Sequence, residues 1–216
     1  MVVLFFLLKV IGISLSGALA PGPVTAAAIG IGSSNPFAGV LMALGHGVVE
    51  FPLMVLLLLG VDRLLKLPSV KVVIGLAGGS FLVFLAVQMF WGLAGGSAAE
   101  QMQATGGNPF VAGVLLSAGN PYFLVWWATV GLALITTARS DFGLWAFGLM
   151  ALAHWSCDLI WLAALSWASF QGSVLLGPMG QRIVLAVCAM AMLGFGLYFI
   201  GERAVRLLAV ARVYLL

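Results

Sequence analysis

Apolar residues run along the chain in long stretches free of Lys, Arg, Asp and Glu: 10–49, 72–99, 101–138, 142–157, 159–181 and 183–201. A helix needs about 20 apolar residues to cross the hydrocarbon core of a bilayer. The first stretch contains a turn signal, Gly32-Ser33-Ser34-Asn35-Pro36, that divides it in two. Asp158 lies within an apolar run and does not end it. The pattern predicts six helices, over about 4–31, 37–61, 68–93, 110–137, 142–168 and 180–208. No ten-residue segments alternate with period two, which argues against a membrane barrel. In lipid every backbone polar group must find a partner within the protein, so the expected fold is an all-α integral membrane bundle.

Composition narrows the class further. Of 216 residues, 63% are apolar and 7% charged, against about 45–50% and about 25% in soluble domains. Nine basic and six acidic residues cannot coat a soluble particle of this size. A secreted disulfide scaffold, a cytosolic enzyme and a disordered tail are thereby excluded. With the N-terminus inside, one face holds Lys9, Arg63, Lys66, Lys71, Arg139, Arg203, Arg206 and Arg212, and the other only Arg182. That bias predicts both termini cytoplasmic. It also accounts for the net charge of +3 without a nucleic-acid partner; the partners expected are the lipid bilayer and a small-molecule substrate. A homodimer would suit so small a bundle. Ala18-Leu19-Ala20 imitates a signal-peptidase site, but Lys9 lies mid-segment and Pro21 would follow the cut, so the first helix is read as retained. Cys157 and Cys188 fall within helices at no metal or disulfide spacing.

The chain contains an internal repeat. Leu41-Met42-Ala43-Leu44-Gly45-His46 recurs as Leu149-Met150-Ala151-Leu152-Ala153-His154, and each histidine is followed four residues on by a carboxylate, Glu50 or Asp158. Upstream, prolines interrupt a helix in each half, at Pro21-Gly22-Pro23 and at Asn120-Pro121. The expected organisation is one membrane domain over 1–216, made of a three-helix repeat over 1–95 and another over 108–216. Three is odd, so the second repeat enters the membrane inverted, an arrangement common among secondary transporters. The loop from Asp62 to Lys71 is basic and its counterpart from Gln171 to Gln181 is neutral, as opposite faces require.

Two constellations carry candidate chemistry. Pro21 and Pro23 remove amide donors and leave the carbonyls of Gly17 and Leu19 without their usual partners. Irregular backbone at membrane depth survives only against protein or a wet cavity, and half-helix ends there can hold a carboxylate or an ammonium. Pro21, Gly22, Pro23, Asn120 and Pro121 are therefore candidates for substrate binding, against the alternative of simple packing kinks. The second constellation is His46/Glu50 and His154/Asp158, each pair one turn apart on one helix face. A carboxylate deep in the bilayer costs about 2.5–3.5 kcal/mol on insertion scales, and such groups usually face an interior path. A proton relay through Glu50 and Asp158, with His46 and His154 contacting substrate, is one reading. A purely internal hydrogen bond is another, and a divalent-metal site of His46, Glu50, His154 and Asp158 is a third. Ser14, Ser16, Thr25, Ser80, Gln88, Ser117, Thr129 and Ser156 are small polar residues that can line a path or serve helix contacts. Trp126 or Trp127, close behind the second break, can stack on a substrate cation. Gly75, Gly78, Gly79, Gly194 and Gly196 are expected to permit close helix approach. No HExxH and no Ser–Lys or Ser–His pairing is present, so no enzyme activity and no cofactor is expected.

At Ala20-Pro21-Gly22-Pro23, Gly45-His46-Gly47-Val48-Val49-Glu50 and Asn120-Pro121-Tyr122-Phe123-Leu124-Val125-Trp126-Trp127, the chain resembles the lysine exporter (LysE/RhtB) family of amino-acid translocators. The resemblance extends over nearly the whole chain. It implies export of amino acids or similar small solutes from the cytoplasmic membrane, driven by the proton gradient. Tyr122 stands where characterised amino-acid exporters of this group often carry a lysine.

Overall fold

In a computed structural model the chain is described over residues 2–61, 63, 67–95, 108–175 and 177–214. Every regular element there is a helix. Asp62 and Lys66 of the basic loop, and the junction between the two predicted repeats, lie outside the described residues.

The first predicted span is two helices, α1 (Val2–Ala18) and α2 (Pro23–Gly32), which meet at 78°. Gly22 is extended (φ −147°, ψ −177°) and Pro23 opens α2, where its missing N–H leaves no helical bond unmade. The Gly17 carbonyl is not orphaned as expected: it accepts from the Ala20 amide at 3.1 Å in a tightened last turn. The Ala20 carbonyl in turn accepts the Thr25 hydroxyl at 3.2 Å. After the turn, where Asn35 Oδ1 accepts from the Phe37 amide at 3.0 Å, α3 (Ala38–Leu58) runs unbroken through Pro52. A long α4 (Pro68–Gly95) follows.

The fourth predicted helix also proves to be two. α5 (Pro109–Ala118) stops at Gly119, and α6 (Pro121–Phe142) restarts at once and contains π turns at Trp127–Gly131 and Ala138–Phe142. Asn108 and Asn120 each precede a proline and accept the first available amide, from Phe110 at 2.9 Å and Tyr122 at 3.0 Å. Such side-chain caps start both helices without water. The chain ends with α7 (Leu144–Leu175) and α8 (Gly177–Tyr214). Among the described residues five helices are long and apolar enough to cross a membrane, six if the bent α1–α2 pair counts as one span. The two interruptions differ in form: 17 helical residues precede the first and 10 the second.

Helix α3 packs against α5 and α7, α7 also against α1 and α2, and α4 lies along α8. Glycines set the closest of these approaches. A Cβ on Gly45 of α3 would collide with the Phe110 carbonyl of α5, and one on Gly113 of α5 with the Met42 carbonyl of α3. Gly79 and Gly196 do the same for α4 and α8, each 2.8–2.9 Å from the other's carbonyl when a Cβ is added. Gly78 makes room for Pro121 and Gly75 for Arg203, whereas Gly194 has nothing within 4 Å and permits no contact. Large apolar side chains such as Phe5, Leu59, Trp91, Ile160 and Tyr198 stand exposed on the outside, the surface a bilayer covers.

Adding a methyl at the α3–α5 seam is expected to destabilise the bundle, Gly45→Ala and Gly113→Ala each by about 1–3 kcal/mol. Gly194→Ala, in open space within a helix, is expected to be neutral or stabilising by up to about 1 kcal/mol. Thermal unfolding of the three purified variants in detergent checks the contrast.

Candidate functional site

The two breaks face each other. A Cβ on Gly22 would sit 3.8 Å from Asn120 Nδ2, and one on Gly17 would sit 3.1 Å from the Trp126 ring. The Tyr122 hydroxyl donates to the Ser16 carbonyl at 3.1 Å and Trp126 Nε1–H to Ser16 Oγ at 3.4 Å, tying α6 to α1 beside both interruptions. Between them opens a cavity of about 80 Å³, room for roughly half a dozen waters at about 10–15 Å³ each. Its wall includes Ala20, Pro21, Gly22, Pro23, Thr25, His46, Glu50, Ser117, Asn120, Tyr122, Trp126, Trp127, His154 and Asp158.

Every residue singled out as a candidate lies on this wall except Pro121, whose ring packs instead against Gly78 of α4. Asn120 divides its amide: Oδ1 caps α6 and Nδ2 faces the α1–α2 break. Of the small polar residues, Thr25 and Ser117 reach the cavity, while Ser80 and Thr129 are exposed on the outside.

Beneath the breaks the ionisable residues form one connected cluster. Glu50 is fully buried, and its Oε1 lies 3.1 Å from Nε2 of His46 and 3.1 Å from Nε2 of His154. Trp127 Nε1–H donates to the same oxygen at 3.2 Å. The far nitrogen of each ring is held by a serine of the other half: His46 Nδ1 is 2.7 Å from Ser117 Oγ, and His154 Nδ1 is 2.7 Å from Ser14 Oγ. Aromatic rings complete the enclosure. Trp126 stacks on His154 at 5.0 Å, Trp127 meets His154 edge-on at 4.8 Å, and Phe123 meets His46 edge-on at 5.1 Å. One face of Trp126 is thus occupied by an imidazole, and Trp127, fully buried, gives its indole N–H to the carboxylate while also lining the cavity.

Asp158 is less central than its counterpart. Its Oδ2 comes to 3.4 Å from His154 Nε2 but makes no aligned hydrogen bond, and Glu50 Oε2 likewise has no partner. Ligand atoms of His46, Glu50 and Asp158 lie within 4.8 Å of one another, so the convergence that a metal reading required is present. Each ring nitrogen nonetheless faces a hydrogen-bonding oxygen. Ser14 and the donor role of Trp127 were not separable in the sequence from other small or aromatic residues of apolar helices.

Two helix interruptions share one cavity inside a bundle whose long apolar helices are those of a multi-pass membrane protein. The chain belongs to the LysE type translocator family, whose profile matches residues 15–203. No match was found among curated proteins or among solved structures. Membership in this family makes the protein a membrane transporter of small solutes.

Loss of the α6 cap should loosen the second break. Asn120→Ala is expected to cost about 1 kcal/mol of stability, and Asn120→Asp, which keeps the accepting oxygen, distinctly less. Denaturation midpoints in detergent measure the difference.

Proposed function

We propose that this chain is a secondary transporter that exports amino acids or related small solutes across the cytoplasmic membrane, coupled to protons through Glu50 and Asp158. The observation that carries this reading is the single cavity that joins both helix breaks to a buried cluster of two imidazoles and two carboxylates. A zwitterion fits its two ends. The first turn of α2 has no side-chain cap, so its amides and positive dipole end are open to a carboxylate. Asn120 Nδ2 stands beside it. At the other end, Glu50 Oε2 and Asp158 Oδ2 are buried without hydrogen-bond partners, and an ammonium supplies the donors they lack.

The inverted-repeat organisation, 1–95 and 108–216, is part of this proposal. It is supported by the reciprocal crossing in which each half's histidine meets a serine of the other half at 2.7 Å and the same Glu50 oxygen at 3.1 Å. The differing lengths before the two breaks make the relation approximate. A cytoplasmic position for both termini belongs to the same proposal and is supported by the excess of Lys and Arg on that face.

Proteoliposomes loaded with amino acids test the reading. An imposed proton gradient should accelerate efflux by the wild type. Glu50→Gln should lose that acceleration while keeping solute exchange at equal pH on both sides. Normal gradient-driven efflux by both Glu50→Gln and Asp158→Asn over a pH series would remove the coupling role. Absence of flux for every amino acid would remove the substrate class.

A further inference from the structure

The hydrogens of the buried cluster can be counted. Ser14 and Ser117 each have one hydroxyl hydrogen. Ser14 Oγ lies 2.7 Å from the Val10 carbonyl and Ser117 Oγ 2.6 Å from the Gly113 carbonyl, each carbonyl four residues back in the same helix and able only to accept. When its hydrogen goes to that carbonyl, each Oγ can only accept from the histidine nitrogen 2.7 Å away. In that arrangement both Nδ1 atoms carry a hydrogen, and what remains on each ring is Nε2, 3.1 Å from Glu50 Oε1. A bare Nε2 and a carboxylate oxygen both present lone pairs, so each of these contacts requires a proton between the two atoms. Glu50 in its acid form brings one hydrogen, which reaches one ring. The other contact must then take its proton from an imidazolium.

We propose that Ser14 and Ser117 are positioning residues that hold His154 and His46 in the Nδ1–H form, turning both Nε2 atoms onto Glu50 Oε1 and making that oxygen the centre of a two-proton store. The use of this store in transport rests on the proton-coupled reading above; the hydrogen count does not. The other charged group facing the rings is Asp158 of α7, 3.4 Å from His154 Nε2. The remaining neighbours are neutral: Trp127 and Tyr122 from α6, Thr25 from α2, and apolar side chains of α4 and α8.

His46 and His154 are the two histidines of the chain, so nitrogen NMR of histidine-labelled protein in lipid nanodiscs reads the cluster directly. Over a pH series, Nδ1 of both rings should stay protonated and Nε2 should exchange. Ser117→Ala should shift the tautomer ratio of His46 by about tenfold toward Nε2–H, the effect of one lost hydrogen bond, and leave His154 unchanged. Ser14→Ala should do the converse. Ser117→Thr and Ser14→Thr keep the hydroxyl and should restore the wild-type pattern. Wild-type rings whose neutral form carries its hydrogen on Nε2 would overturn the proposal. So would a Ser117→Ala protein with an unaltered His46. If the alanine variants do not fold, the wild-type series and the threonine variants still decide. Proteoliposomes inert to every amino acid would remove the proposed substrate class and leave this tautomer test standing.

Discussion

A carboxylate with no exposure to solvent, inside a bundle whose exterior is apolar, is the constraint around which the rest is arranged. An isolated buried charge costs several kcal/mol even after relaxation, so Glu50 must be supplied with donors or protons by its surroundings. Its Oε1 meets groups from three helices: His46 of its own α3, Trp127 of α6 and His154 of α7. Those groups need support in turn. Ser117 of α5 and Ser14 of α1 provide it from positions where each hydroxyl also lies within hydrogen-bond reach of a backbone carbonyl of its own helix. Five helices are thereby registered on one oxygen, and the small residues at the α3–α5 seam are what let the helices come near enough.

The breaks and the cluster are two halves of one design. Pro23 and Pro121 stand where a helix begins rather than within one, so the prolines mark restarts, and each restart leaves its helical end facing the cavity. The side-chain caps are unequal. Asn120 closes the start of α6, whereas nothing caps α2. The anion-attracting end of the cavity is accordingly the α2 side, and the electron-rich end is Glu50 and Asp158. This polarity would orient a zwitterion before any conformational change occurs.

Much of this was legible in the residues. The repeated motif ending in His46 and His154, with an acid four residues on, located the cluster, and Pro21-Gly22-Pro23 with Asn120-Pro121 located the breaks. Two features were not legible. The sequence pairs Glu50 with Asp158 as equals, yet the structure centres on Glu50 alone. The longer glutamate side chain reaches both rings, while the aspartate, one methylene shorter, stops 3.4 Å from His154 and aligns with neither. Ser14 and Ser117 were two among eight small polar residues, and only tertiary contacts between halves distinguish them. Likewise the π turn at Trp127–Gly131 has no signal in composition. It lies in the segment that carries the Trp127 indole to Glu50, consistent with such turns occurring at functional sites.

The same contacts that stabilise the cluster limit how the halves can move. His154 joins α7 to α1 through Ser14 and to α3 through Glu50, and His46 joins α3 to α5 through Ser117. Any rocking of one half against the other must therefore strain hydrogen bonds whose strength depends on where the protons lie. A ligand shifts a conformational equilibrium only through its different affinity for the two states. A proton on the Nε2–Oε1 contacts has such a difference if one state opens them. Under the proposed function a substrate ammonium at Glu50 Oε2 would act on the other oxygen of the same carboxylate, so proton and substrate would bias one equilibrium through one group. Linkage then makes the effect reciprocal: whatever substrate does to proton affinity, protons do to substrate affinity. A single buried carboxylate with two distinct oxygens, one facing the histidines and one without a partner, is the smallest unit able to carry that coupling.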